Sequence, residues 1–227
     1  MFKLFLPYDV FERHKKAGSL IKKNQSVLDI GGELNHLSQF CSSDKITVAN
    51  LTSGDVIIPK GKLPFTNNSF EIVCSIDVLE HIPKKKRQEF VDSLVNISSK
   101  KVILSFPVGT KKHIEYEKFI QNLLKKNGKS IKYLDEHTRY GLPSEQEIKS
   151  MIQSFKAEVT YSGNIKISEF LFKLFIFDPR IKYVRRIVYF FKLVFNLITN
   201  ELFYILLSNK NYSESINRAH IIIDKQP

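Results

Sequence analysis

Apolar positions recur along this chain in two rhythms. Over residues 7–23, Val10, Phe11, His14, Ala17, Leu20 and Ile21 fall three and four apart, which predicts a helix with one apolar face. At residues 26–30 the rhythm changes to a short apolar run, stopped by Gly31 and Gly32, and this predicts a buried strand ending in a turn. Residues 34–40 predict a helix. Residues 45–50 and 55–58 predict a second and a short third strand, residues 70–76 a fourth, and residues 101–106 a fifth that Pro107 closes. Pro83, between the last two, opens a basic helix at a position where its missing N–H costs nothing, with Phe90, Val91, Leu94, Val95 and Ile97 on the inner face.

The strand interiors are continuous apolar runs rather than alternating ones. Strands buried on both faces have this pattern, so the sheet is expected to be parallel and covered by helices. Right-handed crossovers then make a doubly wound α/β layer. Such sheets bind ligands at the carboxyl ends of their strands, where the strand order reverses.

The second half is built differently. Tyr116, Phe119, Ile120, Leu123 and Leu124 mark a helix that stops at Gly128. Ser144 and Glu147 have the capping-box spacing, in which hydroxyl and carboxylate each satisfy an exposed backbone N–H, with Ile148, Met151, Ile152 and Phe155 inward. Residues 158–162 predict a sixth strand and residues 218–224 a last one. The expected organisation is an N-terminal helix (1–24), an α/β core (25–164) with a helical insertion at 108–156, a basic aromatic arm (165–209) and a closing strand (210–227).

Composition narrows the class. With 227 residues, 43% apolar and 26% charged, the chain is neither disordered nor collagen-like. Its two cysteines, Cys41 and Cys74, exclude a disulfide scaffold and a multi-cysteine zinc site, and Cys74 reads as a small core residue. The apolar start, residues 1–6, is too short for a signal-peptide core, so the expected location is cytoplasmic, with the membrane periphery as a further option. A net charge of +12 favours anionic partners such as phosphates, nucleic acid or an acidic membrane surface.

Three strings stand out in order: Asp29-Ile30-Gly31-Gly32; Leu63-Pro64-Phe65 with Ser69-Phe70-Glu71; and Asp77-Val78-Leu79-Glu80-His81-Ile82-Pro83. In this order and spacing the chain resembles a class I S-adenosylmethionine-dependent methyltransferase of the type 11 group, with good motifs over residues 25–107. The resemblance implies a Rossmann-like seven-stranded sheet whose last strand is antiparallel and lies between the fifth and sixth. It implies S-adenosylmethionine as cofactor, and no metal, since the methyl group is already activated. Gly31 and Gly32 match the turn that lets the backbone approach the cofactor, and Asp29 matches the motif's acidic residue. Asn50 matches the position that bonds the ribose hydroxyls, Leu63 and Phe65 flank the adenine, and Asp77 faces the cleft. Asp55 is the nearest match to an acid expected before Leu63.

The chain departs from the family pattern at three places. Glu33 and Asn35 replace two glycines of the loop, though asparagine tolerates a left-handed backbone. Asn50 replaces a carboxylate, exchanging a charge-assisted hydrogen bond of about 1.5–3 kcal/mol for a neutral one of about 1. Candidate bases are His113, Glu136, His137 and Tyr140, in the insertion after strand five, whose alternative reading is a capped loop with solvated histidines. His81 reads as a brace for the loop before its helix.

The arm carries eight of the eighteen phenylalanines, and Asp178-Pro179 breaks any helix within it. Beyond that break, Lys182, Arg185, Arg186, Tyr189, Lys192, Asn196 and Thr199 form a narrow polar stripe on an apolar helix. Three roles fit the pattern: a lid on the cleft, a helix lying in a membrane interface, or a dimer interface. A transmembrane span is disfavoured because Lys192 and Glu201 interrupt the ~20 apolar residues needed. The functional expectation is methyl transfer, to oxygen, on a small-molecule or lipid-linked glycan acceptor. A non-catalytic binding module and an RNA methyltransferase are the rival readings.

Overall fold

The computed structural model describes residues 3–225 except Lys60, Gly61, Asn127 and Lys129. Met1 and Phe2 of the apolar start, and the last two residues of the closing segment, lie outside the described residues. One seven-stranded sheet organises the chain. In chain order its strands are β1 (Val27–Ile30), β2 (Ile46–Asn50), β3 (Val56–Ile57), β4 (Phe70–Ile76), β5 (Ser98–Pro107), β6 (Ala157–Ser162) and β7 (Arg218–Asp224). They lie side by side as β3-β2-β1-β4-β5-β7-β6. The first five pair in parallel and β7 runs antiparallel to both its neighbours.

The helices are α1 (Tyr8–Gly18), α2 (Arg87–Ile97), α3 (Lys111–Lys126), α4 (Lys132–Tyr140), α5 (Glu145–Ile152), α6 (Ile165–Ile176) and α7 (Lys182–Leu207). Alternate residues of each strand serve opposite faces. Leu28, Val73, Val102 and Leu104 pack with Val91 and Leu94 of α2, while Val27, Ile72, Cys74 and Ile103 pack with Ala17 of α1 and Ile21 just beyond it. Burying both faces excludes water from the ladder and accounts for the unbroken apolar runs.

Three expectations change. The helix expected at 34–40 is only a short 3-10 turn, Leu37–Gln39. The region around Glu136 and His137 is a helix, α4, rather than a loop, because Leu134 packs with Ile120 and Leu124 in a small separate core. Ser144 does cap α5 by accepting the Glu147 N–H at 3.2 Å, but the Glu147 carboxylate pairs with Arg87 at 2.8 Å instead of turning back to the helix start.

Helix α7 is unbroken over 26 residues, about 39 Å at ~1.5 Å per residue. From Lys192 onward its amphipathicity is inverted, while Lys182, Arg185 and Arg186 stay exposed. Lys192, Asn196 and Asn200 face inward: Lys192 Nζ donates to the carbonyls of Phe175 and Phe177, Asn196 to that of Phe5, and Asn200 to that of Leu6. Phe190, Phe191, Ile198 and Ile205 face outward, each more than 60% exposed. By length and composition α7 is apolar enough to cross a membrane, but Asn196 and Asn200 are bound along the chain's own N-terminal segment.

Candidate active site

The strand order reverses between β1 and β4, and the two chemically distinctive turns of the chain follow those strands. Gly31, after β1, has φ +82°, and a Cβ there would lie 2.2 Å from a Val78 methyl carbon. A Cβ on Gly32 would lie 2.0 Å from Oδ2 of Asp29. Both positions therefore require glycine, one for conformation and closeness, the other for closeness alone. Asn35 adopts the left-handed conformation at φ +65°. The Glu33 carboxylate is exposed and lies 3.7 Å from the His36 ring.

Asp29 sits beneath this turn, fully buried, with neither carboxylate oxygen hydrogen-bonded. Burial pushes its carboxyl up to about 7. Asn50 holds the turn from the side, its amide donating to the carbonyls of Gly31 at 3.1 Å and Gly32 at 2.9 Å. A carboxylate could not donate these bonds, which is the physical reason for asparagine at this position. Asp55 is a strut, accepting the Val48 N–H at 2.8 Å. Leu63 and Phe65 are partly buried against the core, Phe65 edge-on to Phe70.

Asp77, after β4, is also left-handed, at φ +54°. Its carboxylate is gripped by Arg13 of α1 at 2.8 Å and by Arg218 of β7. Burial pushes the carboxyl up, but the two guanidinium groups outweigh it and hold it at about 2. Beyond Asp77 opens a cavity of about 490 Å³, roofed by Leu171, Phe172 and Phe175 of α6. Five carboxylates line it, from Asp9, Glu12, Asp77, Glu80 and Glu117, against two guanidinium groups, so an otherwise basic protein has an acid-rich cavity.

His113 and His137 are buried in this wall. His113 donates its Nδ1 proton to the Val108 carbonyl at 2.8 Å, leaving Nε2 3.8 Å from Glu117. Burial pulls its pKa down, so the ring is neutral near pH 7. His137 pairs through Nδ1 with the same Glu117 at 2.8 Å. Glu136 lies outside the cavity lining but contacts the His81 ring at 2.8 Å. Tyr140 is not brought to the cavity. Its ring lies under the Arg139 guanidinium, and its carbonyl accepts from Arg87.

His81, read from sequence as a loop brace, and its neighbour Glu80, given no role there, are cavity residues. Burial and the neighbouring Asp77 push the Glu80 carboxyl well up. Arg13, Glu117 and Arg218 carry no local motif, and only the fold brings them together.

No protein-family model and no curated protein matches the chain. Solved structures do. A phosphoethanolamine N-methyltransferase 2 of Haemonchus contortus, in complex with S-adenosyl-L-methionine, aligns with 15% identity and a TM-score of 0.51 over 93% of this chain and 51% of that one. A cyclopropane-fatty-acyl-phospholipid synthase-like protein of Lactobacillus casei aligns with 10% identity and a TM-score of 0.50, over 96% and 91%. The chain spans about half the length of the first of these. Together with the strand order, this likeness defines the fold as that of the class I S-adenosylmethionine-dependent methyltransferases.

Proposed function

We propose that the protein transfers a methyl group from S-adenosylmethionine to an oxygen of a small-molecule or lipid-linked glycan acceptor held in the cavity. The observation that carries this reading is the buried, unpartnered carboxylate of Asp29 beneath the Gly31-Gly32 turn, at the reversal of strand order; of the residues expected to hold the donor, Asp77 lines the cavity and Asp29, Gly31 and Gly32 do not. A buried carboxylate without partners fits a cationic ligand, and glycine at both turn positions fits a close backbone approach. S-adenosylmethionine supplies an activated methyl group on a sulfonium, ready for in-line displacement.

The chain's own part is alignment and proton removal. Asp29 and the glycine turn would hold the donor. His113 is the base best prepared by its surroundings, because the Val108 carbonyl fixes its tautomer with Nε2 unprotonated. Glu117 then steadies the imidazolium that forms. His113→Gln is expected to lower kcat about 10²-fold while donor affinity stays within twofold. The measurement is release of S-adenosylhomocysteine from the full chain with membrane-extract and sugar acceptor pools. No release by the wild type from any pool counts against methyl transfer, and unchanged turnover in the variant counts against this base. The acid-rich cavity disfavours RNA, whose phosphates it would repel.

The arm supports a membrane-associated acceptor. Exposed Phe190, Phe191, Ile198 and Ile205 belong to an apolar outer face of the kind that marks an interaction surface, while α6 beside it roofs the cavity. The lid and membrane-interface readings thus become one: a helix pair lying on a bilayer with the cavity opening beneath it. Vesicles containing anionic lipid should float with the protein, and the Phe190→Asp/Ile198→Asp variant should lose about tenfold or more of that binding. Wild-type failure to float, with a concentration-dependent dimer in light scattering, would assign the face to a second copy instead.

A further inference from the structure

We propose that Glu80, His81 and His137 form a binding site for one divalent transition-metal ion in the cavity wall. One ligand atom from each lies within 4.8 Å of the other two. Donors around a single ion at ~2.1 Å stand about 3–4 Å apart, so small side-chain rotations close the set. Two of the three are prepared for a ligand. Glu80 is 1% exposed and its Oε2 has no hydrogen-bond partner. His137 is 7% exposed and its Nε2 has none either, while Nδ1 is held by Glu117 at 2.8 Å.

That last contact is the arrangement by which metal-binding imidazoles are held: a carboxylate takes one ring N–H and fixes the other nitrogen for the ion. The rings of His81 and His137 face each other with centroids 5.0 Å apart, which places the imidazoles side by side at one wall. Two imidazoles and one carboxylate suit zinc, cobalt, manganese or ferrous iron better than magnesium or calcium, which prefer oxygen. Such an ion keeps coordination positions open toward the cavity. If the methyl-transfer reading holds, an acceptor oxygen would take one of them and lose its proton more readily. Metal binding itself does not depend on that reading.

The test uses the untagged full chain, stripped with a chelator and free of methyl donor. Titration with Co²⁺ should give visible ligand-field bands that saturate at about one equivalent, and Zn²⁺ should displace it. His137→Gln and Glu80→Gln should each weaken uptake about a hundredfold or more, whereas His36→Gln, at the exposed Glu33 pair, should not. Circular dichroism of each variant establishes that it is folded. A wild type without saturable bands overturns the proposal even if a variant fails to fold, and so does equal uptake by folded His137→Gln and Glu80→Gln.

Discussion

Replacing Arg87 by alanine is expected to destabilise the folded chain by about 3–5 kcal/mol, a large share of the ~5–15 kcal/mol that holds a domain of this kind together. Arg87 is 1% exposed, yet all its bonds run outward from α2. Nε donates to the carbonyls of Leu79 and Ile82 at 3.2 and 3.0 Å, Nη1 to Glu147 at 2.8 Å, and Nη2 to the carbonyls of Tyr140 and Gly141. One planar group therefore ties three pieces together: the turn carrying Glu80 and His81, the end of α4 carrying His137, and the start of α5. Alanine leaves the Glu147 carboxylate without its buried partner and several carbonyls without donors. Lysine should recover little, because a single ammonium cannot span the same fork. Urea denaturation of the wild type, Arg87→Ala and Arg87→Lys decides the matter. A loss under 1 kcal/mol for alanine would show that the clamp is dispensable.

The same residue shows where sequence reading stops. Arg87 ends a run of three lysines, and such a run reads as a solvated helix face. Only the fold brings Glu147 and the Gly141 carbonyl to it. Local patterns exposed the strands because each is buried on both faces and carries its signal in its own residues, as at β4. The glycine turn and Asp29 were legible for a similar reason, since turn, strand end and acid are contiguous. Asn50 was located correctly as a strand end, but its service to the Gly31 and Gly32 carbonyls depends on a neighbouring strand. His137 was visible as a candidate. Its burial was not, because α4 is short and hides through the single anchor Leu134. Arg13 and Arg218 meet at Asp77 from opposite ends of the chain, and no window of sequence contains that pairing. The stripe on α7 was legible as a stripe. Only its later members turn inward: Lys192 and Asn196, with Asn200 beyond the stripe, donate to carbonyls at Phe175, Phe177, Phe5 and Leu6, while Lys182, Arg185, Arg186 and Tyr189 stay exposed.

Asp29→Asn is expected to strengthen the fold at alkaline pH while removing donor binding. Burial raises the Asp29 carboxyl from an ordinary 3.8 to about 7. Between those values the folded chain holds a proton that the unfolded chain has released. The group's contribution to stability is therefore intact below pH ~4, falls as pH rises, and is lost once pH passes ~7. The full difference is on the order of 4–5 kcal/mol, since the shift is about 3 pH units and each is worth about 1.4. Asparagine does not ionise, so the variant escapes this loss, although its own buried amide costs about 1–3 kcal/mol at every pH. The difference between variant and wild type should thus move in the variant's favour by about 4 kcal/mol from pH 4 to pH 8. At roughly 2–4 °C per kcal/mol, that is a relative gain of about 8–16 °C in the unfolding midpoint. Donor binding should change the other way. A cation beside Asp29 would stabilise the ionised carboxylate, so the wild type should gain several degrees from S-adenosylmethionine and the variant should bind it about a hundredfold more weakly, near 2.7 kcal/mol. Parallel midpoints for the two proteins from pH 4 to pH 8 would show that Asp29 is not the strained acid. Equal donor affinity would show that its charge is not what the donor meets. Stability given up at one buried carboxylate is what a site poised for a cationic ligand requires, and the same substitution reads out both halves of that argument.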